Sequence, residues 1–259
     1  MSRQIKDLNE ATAAADTDWL LLQESSGGCK KISKSNFVAG LATSSATPSV
    51  APYQSGMALW LENGELADKS GNGRNAVATA SRRPYKVNAF GGKNAFYWDG
   101  KDNQQLQVPF FLSGAIGATI YIVYSVNSPG YELIRTRENG DWWRFWGDGN
   151  GYIGTLRTNR MEGYPGSMPS TGEYLLSIHS SPSVYEVTMN GISKGVQGGQ
   201  FNAGDRFLIG VNQYSYIGAI GLILVYPSYI ASDSVTHSKI LSAISTNYTT
   251  LTIVSEYVS

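Results

Sequence analysis

Short apolar runs, each stopped by Gly, Asn, Asp or Ser, recur through residues 57–259, and this rhythm constrains the fold more than any other feature. The runs are Ala58–Leu61, Ala95–Trp98, Gln105–Val108, Ala118–Val126, Tyr131–Arg137, Asp141–Trp146, Tyr152–Thr158, Glu173–His179, Tyr185–Met189, Arg206–Gly210 and Ala219–Tyr226. Runs of this length with turn signals between them read as strands. Asn139-Gly140 and Asn190-Gly191 are hairpin dipeptides, because Asn and Gly tolerate the positive φ of a two-residue turn. Glycine, 29 of 259 residues, supplies many of the stops. Helical spacing is convincing once: His237, Ile240, Leu241, Ile244 and Tyr248 share a face, behind a cap at Ser232 or Ser234. Many antiparallel strands and one late helix predict an all-β fold, a two-sheet antiparallel sandwich or jelly roll.

Ahead of this domain, the sequence divides into a small N-terminal module (1–42) and a Ser/Thr/Pro linker (43–56), leaving 57–259 as the sandwich. The linker composition is uncharged and Pro-containing, which predicts a flexible, extended segment. Trp19–Gln23 reads as a strand, Ser25-Ser26-Gly27-Gly28 as a turn and Lys30-Lys31-Ile32 as the return strand. A short helix through Asn36–Leu41 follows, capped by Ser33 or Ser35. A module of this size buries too little surface alone and needs a partner or oligomerisation.

Charge narrows the function. Lys and Arg total 20, as do Asp and Glu, so the net charge is zero. A broad phosphate-binding surface needs surplus cations, so nucleic acid is not an expected partner. No apolar run approaches a membrane span, and no signal-peptide core follows Met1, so neither membrane insertion nor ordinary secretion is expected. Cys29 is the one cysteine, which excludes an intramolecular disulfide framework.

Two resemblances add to this reading. Asp16-Thr17-Asp18-Trp19-Leu20-Leu21-Leu22-Gln23-Glu24, the glycine turn, Lys30-Lys31-Ile32-Ser33 and Ser35-Asn36-Phe37 resemble the N-terminal segment of bacteriophage tail-fibre and tail-appendage proteins. That resemblance implies virion attachment and trimerisation, with Trp19, Leu21, Lys30, Lys31 and Phe37 as anchoring residues. The large domain resembles the laminin-G-like or concanavalin-A-like jelly roll. Its landmarks are Ala58-Leu59-Trp60 before Asp68-Lys69-Ser70-Gly71-Asn72-Gly73, then Phe96-Tyr97-Trp98-Asp99-Gly100, Ala118–Val123, Tyr185–Gly191, and Leu208-Ile209-Gly210 before Ile217–Tyr226. The fold alone leaves function open, because it serves lectins, adhesion modules, glycanases and capsid parts.

Tests for catalysis come out negative. Glycanases on this fold carry Glu-x-Asp-x-x-Glu on one strand, where alternation lets two acids flank a glycosidic bond. No such triplet occurs; Glu62 and Glu65 would point to opposite faces of a strand. There is no Gly-x-Ser-x-Gly elbow and no phosphate loop. His179 and His237 read as separate packed or surface residues, and no cofactor is expected. Calcium is a minor alternative at Asp68 and Asn72, whose turn also forms well without an ion.

The most distinctive candidate site is a hairpin. Trp142, Trp143 and Trp146 gather half of the six tryptophans. A two-residue turn at Asn139-Gly140 sets Arg137 opposite Trp142, Thr136 opposite Trp143, Arg135 opposite Arg144, Ile134 opposite Phe145 and Leu133 opposite Trp146. Ile134, Thr136, Trp143 and Phe145 then face the core. Arg135, Arg137, Trp142, Arg144 and Trp146, with Tyr152, form an aromatic and basic face suited to stacking on sugars and binding their hydroxyls or carboxylates. Arg135 and Arg144 would repel unless an acid from a neighbouring strand or an anionic ligand lies between them.

The resulting expectation is a non-enzymatic phage tail fibre, a homotrimer in the virion. It would attach to tail or baseplate proteins and recognise host surface polysaccharide. The alternatives are a baseplate, neck or capsid-decoration protein without glycan binding, and a glycan depolymerase.

Overall fold

The computed structural model describes residues 19–23, 29–33, 51–78, 83–100, 104–109, 112, 115–127, 131–138, 141–147, 153–157, 160–164, 171–198, 206–210 and 216–254. The chain divides into two units, Met1–Ser49 and Val50–Ser259. In the first, β1 (Trp19–Gln23) pairs antiparallel with β2 (Cys29–Ser33), with Leu21 opposite Lys31 and Leu22 opposite Lys30. The expected Asn36–Leu41 helix, with Phe37, lies outside the described residues.

The second unit is an antiparallel two-sheet sandwich. Its larger sheet contains β3 (Leu59–Glu62), β4 (Tyr85–Ala89), β5 (Lys93–Asp99), β7 (Ala118–Val126), β12 (Gly172–Ser180), β13 (Val184–Met189), β14 (Ile192–Gly198) and β16 (Ile217–Tyr226). Their order is β14-β13-β12-β7-β16-β5-β4, and β3 also pairs with β16. The smaller sheet contains β6 (Leu106–Pro109), β8 (Tyr131–Glu138), β9 (Asp141–Gly147), β10 (Ile153–Arg157), β11 (Arg160–Tyr164) and β15 (Arg206–Ile209), in the order β11-β10-β9-β8-β15-β6. Every predicted run from Ala58 to Tyr226 overlaps one of these strands.

Alternation sorts the side chains between two cores. Ile120, Ile122 and Tyr124 of β7 face inward and meet Ile134, Phe145, Phe207 and Ile209 of the smaller sheet. Tyr121 and Val123, the intervening residues, face outward and pack under α1 (Val235–Asn247) with Ile240, Leu241 and Ile244. The helix therefore covers the outer face of the larger sheet at its central strands. Ser234 caps it by accepting a hydrogen bond from the His237 N–H at 3.1 Å. A bulge in β16 at Gly221 makes room for the end of the helix. A Cβ there would lie 2.9 Å from both Phe90 and Tyr248 ring atoms, and the Tyr248 hydroxyl donates to the Gly221 carbonyl at 2.8 Å.

One sequence expectation changes in the sandwich unit. The unit begins at Val50, and Tyr226 donates its hydroxyl to the Tyr53 carbonyl, so residues 51–56 belong to the sandwich rather than to a linker. Pro52 is buried, which gives this uncharged stretch a place to pack. The Asn190-Gly191 turn forms as expected, with φ of 53° and 82°. Among the described residues, no helix is long and apolar enough to cross a membrane.

Candidate functional site

β8 and β9 form the predicted hairpin, with Glu138 opposite Asp141, Arg137 opposite Trp142, Thr136 opposite Trp143, Arg135 opposite Arg144 and Ile134 opposite Phe145. The expected register fails at its far end. Trp146 pairs with Glu132, not with Leu133, because a bulge falls between Glu132 and Ile134. The extra residue, Leu133, is buried in the inter-sheet core. A bulge resets the alternation, so residues three apart come to share a face. Glu132 and Arg135 consequently meet.

Their contact is a bidentate ion pair. Arg135 Nε donates to Glu132 Oε1 at 2.6 Å and Nη2 donates to Oε2 at 2.5 Å. Glu132 is 0% exposed and Arg135 6%. The expectation that Arg135 lies on an open ligand-binding face is thereby corrected: it is buried, and its guanidinium fork is committed to a carboxylate. The acid that meets Arg135 comes from its own strand. Sequence reasoning missed Glu132 because regular alternation puts it on the opposite face from Arg135.

The remaining proposed residues are placed by their backbones. Trp142, Arg144 and Trp146 occupy β9 positions alternate to Phe145, which is buried in the core. These are outer-face positions of the smaller sheet, opposite Arg137, Arg135 and Glu132 in turn. Tyr152 lies outside the described residues. On the other side of β8, Arg206 pairs with Arg137 and Leu208 with Arg135. Arg206 escaped the sequence reading because its neighbour is distant in the chain and only long-range pairing brings the two together.

The Asp68 turn is knitted to β3. Asp68 Oδ1 accepts the Trp60 N–H at 3.0 Å and the Ser70 N–H at 2.9 Å. Its Oδ2 accepts the Ser70 hydroxyl at 2.8 Å and the Arg74 N–H at 3.0 Å. Burial pushes the Asp68 carboxyl upward, but these bonds from Ser70, Arg74 and Trp60 outweigh it and hold the pKa below its ordinary value. Asn72 Nδ2 donates to the carbonyls of Met57 at 2.9 Å and Ala58 at 3.2 Å. Calcium would have to displace these donors from the carboxylate, so the set fits a self-contained Asx turn better than an ion site. Among the described residues, no group of three or more His, Cys, Asp or Glu could hold a metal ion.

The histidines do form a pair, which their sequence positions hid. Strand β12 brings His179 under α1, where its ring meets that of His237 edge to face at 4.9 Å. Tyr121 stacks on His237 with ring centroids 5.7 Å apart, and its hydroxyl lies 2.9 Å from His237 Nδ1. His179 Nδ1 contacts the Ile230 carbonyl at 2.6 Å, as a donor, while its buried Nε2 has no hydrogen-bond partner. Burial pushes both pKa values down to about 4, and for His237 the proximity of His179 adds to the shift. Both imidazoles are therefore neutral at pH 7.

No known protein family and no curated protein matches the chain in sequence. Solved structures do match its fold. Domain 4 of AbnA, a GH43 extracellular arabinanase from Geobacillus stearothermophilus, in complex with arabinotriose, has a TM-score of 0.57 at 14% identity, covering 72% of this chain and 97% of that one. The binding domain of botulinum neurotoxin DC in complex with SialylT has a TM-score of 0.57 at 16% identity, covering 76% of this chain and 53% of that one. The binding domain of Paraclostridial Mosquitocidal Protein 1 has a TM-score of 0.56 at 12% identity, covering 74% and 53%. The chain thus spans about half the length of these toxin domains. The likeness is one of fold: an antiparallel two-sheet β-sandwich.

Proposed function

We propose that the protein is a non-catalytic glycan-binding protein whose ligand face is the outer side of the smaller sheet. The observation that carries this reading is the β8–β9 register, which sets Trp142, Arg144 and Trp146 beside Arg137, Arg135 and Glu132. Aromatic rings supply stacking area for sugar faces, and arginines supply donors for hydroxyls and carboxylates. On the larger sheet, α1 covers the outer face at the central strands β7 and β16. Two structural neighbours described as complexes with arabinotriose and SialylT support the reading by analogy of fold.

The bound glycan is a host surface polysaccharide, and the protein acts as a homotrimeric tail fibre on a virion. Residues 1–42 attach it to the tail or baseplate. That part rests only on the resemblance of residues 16–37; the structural neighbours add nothing to it. Multivalent engagement turns weak contacts in each copy into firm attachment.

Binding to host cells or immobilised host polysaccharide, measured for the intact chain and for Trp142→Ala and Arg144→Ala, tests the site. The expected result is a loss of about tenfold or more in each variant, the scale of a lost stacking or charged hydrogen-bond contact. Unchanged binding in both variants overturns the assignment.

A further inference from the structure

The pairing of four strands lays out the outer face of the smaller sheet in rows. One row runs Pro109, Arg206, Arg137, Trp142, and the next runs Gln107, Leu208, Arg135, Arg144. Beyond the bulge stand Glu132, Trp146 and Gly154. Adjacent strands lie about 4.8 Å apart, so four arginine positions fall within two neighbouring rows. Two of the cross-strand pairs, Arg206 with Arg137 and Arg135 with Arg144, set like charges opposite each other, an arrangement that costs stability.

Acidic residues are fewer than arginines at the row positions themselves. Glu132 is the one acidic residue at the outer positions of β6, β15, β8 and β9, and its carboxylate is bonded to Arg135. Glu138 and Asp141, the other acids of the hairpin, stand at positions of opposite parity. The row positions therefore carry a surplus of three cationic residues, Arg137, Arg144 and Arg206, within a chain whose net charge is zero.

Exposure differs across the face. Glu132 and Arg135 are buried, Leu208 and Gln107 are half-buried, and Pro109 is exposed. Among the described positions of the two rows, exposure is greatest at Pro109, which shares its row with Arg206, Arg137 and Trp142.

Resting on the glycan-binding reading above, we propose that this face selects anionic glycans, with carboxylated sugars received at the Arg137–Arg206 pair beside Trp142. A carboxylate relieves the repulsion between the two positions and gains charge-assisted hydrogen bonds from planar guanidinium donors. The buried Glu132–Arg135 pair removes one arginine from ligand contact and fixes the strand beside the site.

An array of sialylated, uronic-acid and neutral glycans, probed with the full chain, reads this directly. Each acidic glycan is paired with its carboxyl-reduced form, so the ligand arm needs no variant. Binding to acidic glycans is expected to be at least about tenfold tighter than to their reduced partners, and to weaken as salt rises. Arg206→Gln is expected to lose about tenfold on acidic glycans alone, with Arg206→Lys intermediate and a melting temperature in both no lower than that of the unaltered protein. Equal binding to acidic and reduced forms overturns the anionic selectivity while leaving glycan binding intact. Single-stranded DNA bound as tightly as the acidic glycans also overturns it, because the site would then read charge without sugar. No binding to any glycan overturns both readings.

Discussion

His179 and His237 place two bases under the helix, where burial outweighs the nearby acids Glu186 and Asp233, and the consequence is a stability that depends on pH. Each is held neutral in the fold with a pKa of about 4, against an ordinary value of 6.5. Between those values the unfolded chain binds more protons than the folded one, so stability falls as pH falls. Their contribution is complete above pH 6.5, declines through pH 5 and is gone below about pH 4. For His179, the more buried of the two, it amounts to at most about 3 kcal/mol. Urea unfolding at pH 7 and pH 4.5 should show the loss, and His179→Asn, whose amide stands where Nδ1 donates to the Ile230 carbonyl, should flatten it. An acid dependence of equal size in that variant would remove the histidine pair as the cause.

At the scale of elements, the β8 bulge has the largest consequence. It sends Leu133 into the core and joins Glu132 to Arg135 on the outer face. Removing one partner of a buried ion pair costs about 3–5 kcal/mol, whereas replacing both with apolar groups costs much less. Glu132→Ala should therefore destabilise strongly, and Glu132→Ala with Arg135→Met should recover most of the loss in a denaturation cycle. Simple additivity of the two single changes would contradict the pairing. The elements that were legible in sequence are those with apolar runs: β7 and β16, central in the larger sheet, are apolar for most of their length. The strands that went unread are β4, β11 and β14, and all three are sheet edges. An edge strand has a neighbour on one side only and is kept polar, which removes the apolar signal. Tyr85-Lys86-Val87-Asn88-Ala89 and Arg160-Met161-Glu162-Gly163-Tyr164 show that composition. The site was legible as far as a two-residue turn could carry the register. It failed at the bulge, which no local dipeptide announces, and at Arg206, which only the sheet order brings beside Arg137.

At the scale of the whole molecule, the chain is two units of unequal means. Residues 50–259 hold a continuous inter-sheet core and a second core beneath the helix. The small unit, Met1–Ser49, is too short to be stable alone and is the proposed site of trimerisation and virion attachment. Deleting residues 1–49 should leave the melting temperature of the sandwich unchanged while converting a trimer to a monomer in light scattering. A trimer that survives the deletion would move the association to the sandwich.

The central claim is that glycan meets the outer face of the smaller sheet. Hydrogen–deuterium exchange of the full chain, with and without the glycan that binds it best, tests the location without a substitution. The account predicts added protection in residues 134–147 and 206–210. Protection confined to the Asp68 turn, to β14 or to residues under the helix, with β9 and β15 unchanged, would contradict it.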